Sequence, residues 1–265
     1  MGFWPVVLNV IRNSDVVLLL VDARMPEVSR NSEIVKAVHG EHSRKGSTTS
    51  ENEIIPGMRG KRLVMVFNKS DLVSRKELEK LKNKYDDAFF ISASKKIGIG
   101  KLRDTLQNMA DNWGKSSLRV GVVGYPNIGK STLINLLAPG AKAKVSPVSG
   151  TTKKTQWIRN GNIRIMDSPG VIPFGDNKSQ LGMTASKDPH KIKNPEKVAI
   201  RTIEYLMEKS KGTIEKFYGV KGKDAYEIFE DIAKKKGFLI KGGEVDENRT
   251  AIKIIDDWQK GKIKL

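Results

Sequence analysis

Residues 119–137 read RVGVVGYPNIGKSTLINLL. The opening stretch, Arg119 to Val123, is short, apolar and β-branched, as a buried strand is, and the closing stretch from Ser131 to Leu137 has the composition of a helix. Between them Gly124-Tyr125-Pro126-Asn127-Ile128-Gly129-Lys130-Ser131 fits G-x-x-x-x-G-K-[ST] without a mismatch. Glycines at those two positions let backbone N–H groups curl around a phosphate, where the N-terminus of the following helix adds positive potential. Lys130 can then neutralise phosphate oxygens, and the hydroxyl of Ser131, followed by Thr132, is suited to Mg²⁺. A chance glycine turn would need neither the strand before it nor the helix after it.

Working outward, further β-branched runs are too short for helices: Val16–Val21, Leu63–Phe67, Phe89–Ile91 and Ile163–Met166. Helical stretches at Arg75–Lys84, Gly100–Asn112 and Lys130–Leu137 alternate with them. Strands alternating with helices predict an α/β fold with a doubly wound, mostly parallel sheet. The run from Gly40 to Gly60 is polar and rich in Ser, Thr and Gly, and reads as a mobile insertion.

Downstream of the phosphate loop, Asp167-Ser168-Pro169-Gly170 ends a strand. There Asp167 can act on Mg²⁺ and the Gly170 N–H can sense a γ-phosphate. Gly150-Thr151-Thr152 lies between the two motifs, where a threonine is needed for the metal; Thr152 is preferred and Thr151 is the alternate.

Upstream, Asn68-Lys69-Ser70-Asp71 ends the strand Leu63–Phe67. The Asp71 carboxylate can accept two hydrogen bonds from the guanine edge, whereas adenine offers no such donor pair and would leave a buried acceptor unpaired. Asn68 would brace the loop and the Lys69 stem would lie over the base. Ser92-Ala93-Ser94, one helix further on, is the partner loop, with the Ala93 N–H directed at the guanine carbonyl. The base-reading motifs therefore precede the phosphate loop. A sheet tolerates such a permutation because chain termini lie at the surface and close together. The join falls near residues 111–118.

After Gly170 the pattern changes. Asn194 followed by Pro195 reads as a capped helix start with the stripe Ala199, Ile203 and Leu206. A second stripe, Ala225, Ile228, Phe229 and Ile232, is stopped by Gly237, and Asp246 can cap a third helix carrying Ala251, Ile254, Ile255 and Trp258. The expected division is an α/β domain over 1–178 and a small all-helical C-terminal domain over 179–265.

The formal charge is +18, from 48 basic and 30 acidic residues, and predicts a polyanionic partner, most often nucleic acid. Absence of cysteine excludes disulfides, thiolate metal sites and thiol nucleophiles. No apolar run is long enough to span a bilayer, and Met1 to Val10 lack the features of a signal peptide, so a cytoplasmic, membrane-free protein is expected. Lys142, Lys144, Lys153, Lys154, Arg159 and Arg164 are a candidate RNA-facing patch.

The motif order N-K-x-D, S-A-S, G-Y-P-N-I-G-K-S, G-T-T, D-S-P-G resembles the circularly permuted GTPases of the YlqF/YawG type, implicated in ribosome assembly. Asp22-Ala23-Arg24-Met25-Pro26 is similar to that family's D-A-R-x-P, and Gly242-Gly243, Asp246, Arg249 and Gly261-Lys262-Ile263 look like its C-terminal segment. The resemblance implies a circularly permuted P-loop G domain that binds GTP and GDP and hydrolyses GTP slowly. It also implies stimulation by the large ribosomal subunit and rRNA or a subunit precursor as partner. Asn127 would help hold K⁺. The protein is expected to be a monomer off the ribosome. Lys130, Thr152 and Gly170 would carry the chemistry; Ser131, Thr152 and Asp167 would serve Mg²⁺.

Val171 and Ile172 follow Gly170, where a water-orienting glutamine would be needed for fast hydrolysis. The three histidines, His39, His42 and His190, adjoin no motif and read as surface residues. Two rivals stand beside this reading. A nucleotide kinase would lack the two base-reading motifs, and a signalling switch acting on proteins would not need the basic excess.

Overall fold

The computed structural model describes residues 4–40, 60–139, 156–168, 170, 182–184 and 187–265. The chain divides into two compact units, one of residues 1–71 and 78–174, the other of residues 72–77 and 175–265.

The first unit is built on a six-stranded sheet in the order β3-β2-β1-β4-β6-β5. Its strands are β1 (Val16–Asp22), β2 (Arg62–Asn68), β3 (Phe89–Phe90), β4 (Leu118–Val123), β5 (Gln156–Asn160) and β6 (Ile163–Asp167). All neighbours are parallel except β5 and β6, which are joined by the tight turn at Gly161 and run antiparallel. Every residue of β1 is buried, as a strand covered on both faces requires. The helices are α1 (Trp4–Asn13), α2 (Pro26–Ser29), α3 (Ser32–His39), α4 (Arg75–Lys84), α5 (Ile99–Asn112) and α6 (Lys130–Leu137). Helices α1 and α3 meet each other over β4 and β2, while α5 and α6 meet over β4 and β6. Gly121 in β4 lets α1 approach, since a Cβ there would overlap Ser14 and Val10.

Four of these elements, α1, α2, α3 and β5, are absent from the expected set. The strands that were expected extend by one or two residues at most of their ends, and β3 is shorter, ending at Phe90. Residues 41–59 lie outside the described residues, so the structure is silent on the expected insertion.

In the second unit the helices are α7 (Pro195–Lys209), α8 (Thr213–Tyr218), α9 (Ala225–Lys236) and α10 (Glu247–Gln259). All three expected stripes are buried. Gly237 closes α9 in the left-handed conformation and the Asp246 carboxylate accepts from Arg249 N–H, as their sequence positions indicate. Asn194 is a correction: it stands at the cap position, but its side chain makes no capping bond, leaving Pro195 as the start signal. Trp258 is fully buried and donates from Nε1 to the Met183 carbonyl at 3.1 Å. Beside it, the buried Asp257 accepts from Tyr218 Oη, Lys253 and Lys262, a network that satisfies its charge inside the unit. Burial, followed by the Asp257 charge, pushes the Tyr218 hydroxyl far up.

Candidate functional site

At the carboxyl ends of β4, β1, β2 and β6 the chain turns four times within a small region, the position where open α/β sheets form their crevice. Gly124 follows β4 with φ 148°, where a side chain would strike the Leu20 carbonyl. Asn127 and Gly129 also take positive φ, 55° and 104°, so the loop curls before α6 begins at Lys130. Tyr125, Pro126 and Ile128 are buried inside the loop, Asn127 is exposed, and Thr132 is half-buried in the first turn of α6.

The Lys130 ammonium is turned back onto its own loop, donating to the Tyr125 carbonyl at 2.7 Å and the Gly124 carbonyl at 3.1 Å. Burial lowers its pKa to about 8, against the opposing pull of Asp167. Ser131 Oγ donates to Asp167 Oδ2 at 3.0 Å, so the end of β6 and the start of α6 present a hydroxyl and a carboxylate side by side. That is a hard-oxygen pair of the kind that suits Mg²⁺. Gly170 stands against Pro126, and any side chain there would collide with the proline ring and backbone. Thr151 and Thr152 lie outside the described residues, as do Val171 and Ile172.

The second loop pair is tied together by one side chain. Asn68 donates from Nδ2 to the Ile128 carbonyl at 2.8 Å and accepts at Oδ1 from Ala93 N–H at 2.9 Å. It thereby joins N-K-S-D, the phosphate loop and S-A-S at a buried point. Parallel pairing of β2 with β3 brings the two strand ends within reach of it. The Ala93 N–H, expected to face a guanine carbonyl, donates here to Asn68 Oδ1. Ser92 and Ser94 share a hydroxyl contact of 3.2 Å, with Ser92 buried and Ser94 exposed. Asp71 sits in the 3₁₀ turn Ser70–Leu72, and its Oδ1 is buried with no hydrogen-bond partner among the described residues. A buried carboxylate oxygen without a donor is an acceptor awaiting one.

Lys69 does something the sequence did not announce. With φ 62° it turns its ammonium onto Asp22 Oδ2 at 2.9 Å. Arg24 grips the same carboxylate. Asp22-Ala23-Arg24 entered the sequence reading only as a likeness to a family motif, and that was the one signal by which it could have been found. His39 and His190 are exposed.

A strand–glycine loop–helix with a hydroxyl–carboxylate pair, and a base-side loop pair tied to it by Asn68, define a P-loop G domain whose base-reading segments come first in the chain. A family model described as "50S ribosome-binding GTPase" matches residues 119–230. A GTP-binding protein of Methanocaldococcus jannaschii is 35% identical over 97% of this chain and 65% of its own length. The nuclear/nucleolar GTPase 2 of Arabidopsis thaliana is 31% identical over 98% of this chain and 43% of its own length. The chain thus spans less than two thirds of these relatives. Among solved structures, GDP-bound YlqF superposes with TM-score 0.61 at 22% identity, covering 97% of this chain and 94% of that one. YlqF of T. maritima in its GNP-bound form gives 0.59 at the same identity, over 98% and 94%. In fold and in the order of its motifs the chain is similar to the circularly permuted GTPases of the YlqF type.

Proposed function

We propose that this chain binds GTP and GDP and hydrolyses GTP slowly as an assembly factor of the large ribosomal subunit. In this reading it docks on rRNA in the GTP state and leaves after hydrolysis. The single observation that carries the guanine reading is Asp71 Oδ1, buried and without a donor, beside the Asn68 network. Guanine supplies two donors on one edge, and adenine would leave the oxygen unpaired.

On the phosphate side, Lys130 would exchange its two carbonyl partners for phosphate oxygens. Ser131 and Asp167 would hold Mg²⁺ with Thr152, and the metal would supply charge neutralisation as the phosphoryl group transfers. Asn127, exposed on the loop, is the residue to which the family resemblance assigns K⁺. The Gly170 N–H, packed close to the phosphate loop, would report the γ-phosphate, and the segment after it leads in sequence to the helical domain, proposed as the part that is re-aimed.

The rRNA reading rests on charge. Beyond the net +18, Arg119, Arg164 and Arg159 fall on one row of the sheet, from β4 through β6 to β5. Like charges directly opposite one another weaken a sheet. Arg119 is answered by Asp15, but among the described residues Arg164 and Arg159 have no acidic partner, and both are exposed. A polyanion would relieve that repulsion. Of the other expected patch residues, Lys142, Lys144, Lys153 and Lys154 lie outside the described residues. Among the described residues no helix is long and apolar enough to cross a membrane. The proposed setting is the cytoplasm, with a monomer off the ribosome.

Co-sedimentation with large ribosomal subunits tests the whole reading. Retention with a non-hydrolysable GTP analogue and release with GDP are expected, weakening steeply as salt rises. Equal retention with both nucleotides overturns the switch, and salt-independent retention overturns the charged rRNA surface.

A further inference from the structure

The pair Asp22 and Arg24 has no part in holding phosphate, metal or base, yet it is among the most carefully buried polar groups of the first unit. In the parallel register of β1 and β2, Asp22 lies beside Asn68, and Ala23 N–H donates to the Asn68 carbonyl at 2.9 Å. Asp22 N–H donates in turn to Ser29 Oγ at 2.9 Å, which closes the turn that begins α2. The carboxylate is saturated. Oδ1 accepts from Arg24 N–H at 3.0 Å and Nε at 3.1 Å; Oδ2 accepts from Arg24 Nη2 and Lys69 Nζ, each at 2.9 Å. The Arg24 side chain is fully buried and that of Lys69 is 19% exposed.

Two cations share this one buried carboxylate in a poorly hydrated place. The Lys69 backbone adds strain, because left-handed φ is unfavourable for a residue with a Cβ. Burial draws the Lys69 pKa down, and Asp22 opposes it; Asp71 acts on the same ammonium in the same sense. Lys69 therefore stands within electrostatic reach of two carboxylates, and only Asp22 is bonded to it. Were Asp22 absent, the nearest anion of its own motif, Asp71, is the one whose free oxygen the base needs.

We propose that Asp22, seated by Arg24, is a specificity-determining residue: it sequesters the Lys69 ammonium and so keeps the Asp71 carboxylate available to guanine. Arg24 occupies the remaining lone pairs and fixes the orientation in which Oδ2 meets Lys69. The role is positional, acting through Lys69 and Asp71 without touching nucleotide. It rests on the guanine reading of Asp71.

The test compares GDP with inosine diphosphate, which lacks the 2-amino donor, and with ADP, by displacement of a fluorescent nucleotide. The parent is expected to prefer GDP over the inosine analogue by about 10- to 100-fold, the worth of one charge-assisted hydrogen bond. Asp22→Asn frees Lys69 to pair with Asp71, and the preference is expected to fall about tenfold. Lys69→Ala weakens both nucleotides but keeps the preference. The double variant regains it, matching Lys69→Ala, because nothing is left to occupy Asp71. A purely structural role for Asp22 would give no such recovery. Lys69→Ala leaves Asp22 and Arg24 paired, and loss of the preference in it overturns the proposal even if Asp22→Asn does not fold. Preference unchanged in Asp22→Asn, or lost in the double variant, overturns the proposal. A parent that binds GDP and ADP alike overturns the guanine site, and this role with it.

Discussion

The two ends of the nucleotide cleft are prepared in opposite ways. At the base end, Asn68 is bonded to its neighbours, Lys69 is tied to Asp22, and what remains among the described residues is an unsatisfied acceptor on Asp71. At the phosphate end, two of the groups that would meet ligand bond within the protein: Lys130 to its own loop carbonyls and Ser131 to Asp167 Oδ2. The base end is preorganised, so recognition there needs no bond to break. At the phosphate end Lys130 and Ser131 must first give up an internal bond. Selectivity therefore resides where the protein is already set, and response to the phosphate state resides where it must rearrange.

The largest break in this contrast is at Asp71. Asp71→Ala is expected to lower affinity for GDP and GTP alike, by about a thousandfold, because the acceptor is the whole of the base end's specificity. Displacement titrations with both nucleotides check it, and a loss confined to GTP would reverse the assignment. Lys130→Met strikes the other end. It is expected to cost about 100-fold in hydrolysis rate, with a weaker effect on GDP binding than on GTP binding. Single-turnover kinetics separate the two.

Gly129→Ala reaches both ends at once. Its Cβ would overlap the Asn68 amide, and φ 104° is strained for alanine, so a loss of about 2–4 kcal/mol in chemical denaturation is expected, together with weaker nucleotide binding. Additive loss in a Gly129→Ala, Asn68→Ala double variant would show that the two residues are not coupled.

The smallest effect is a proton. Burial lowers Lys130 to about 8 from an ordinary 10.5, so the unfolded chain holds more protons than the folded one between those values. Stability of the unliganded protein should consequently rise, through this group, as pH climbs from about 8 to 10.5. Phosphates would restore the charge, so nucleotide binding at pH 9 is expected to take up close to about one proton. Calorimetry in buffers of different ionisation enthalpy reads it, and Lys130→Met should abolish it.

What the sequence made legible followed from spacing. The phosphate loop, Asp167 and Asn68-Lys69-Ser70-Asp71 stand out because fixed offsets from a strand end leave little freedom in where the side chains go. Helix Arg75–Lys84 was readable from its composition. The strand Gln156–Asn160 was not, since an edge strand whose buried residue, among those described, is Ile158 lacks the apolar run of a central one. Helix α1 was not, because Val6, Val7, Val10 and Ile11 give it the β-branched composition of a strand. At the site, the hidden facts are all choices of partner: Ala93 N–H to Asn68, Lys130 to its own loop, Lys69 to Asp22. Such choices depend on which loops the sheet sets side by side, and no local pattern encodes them.

The bond from Asn68 to Ile128 spans sixty residues of chain, and that separation has a temporal meaning. A ribosome making this protein releases the base-reading segment well before the loop that completes it. Strands β1 to β3 can pair as soon as they emerge, but Asn68 must wait for β4 to add beside β1 and for Ile128 to follow. The nascent chain passes through a stage with half a cleft and a solvent-facing edge on β1. Closing that long loop is an entropic step of the kind that slows folding. Maturation of the cleft is thus gated by the arrival of the phosphate loop, so the protein gains its base site and its phosphate site together.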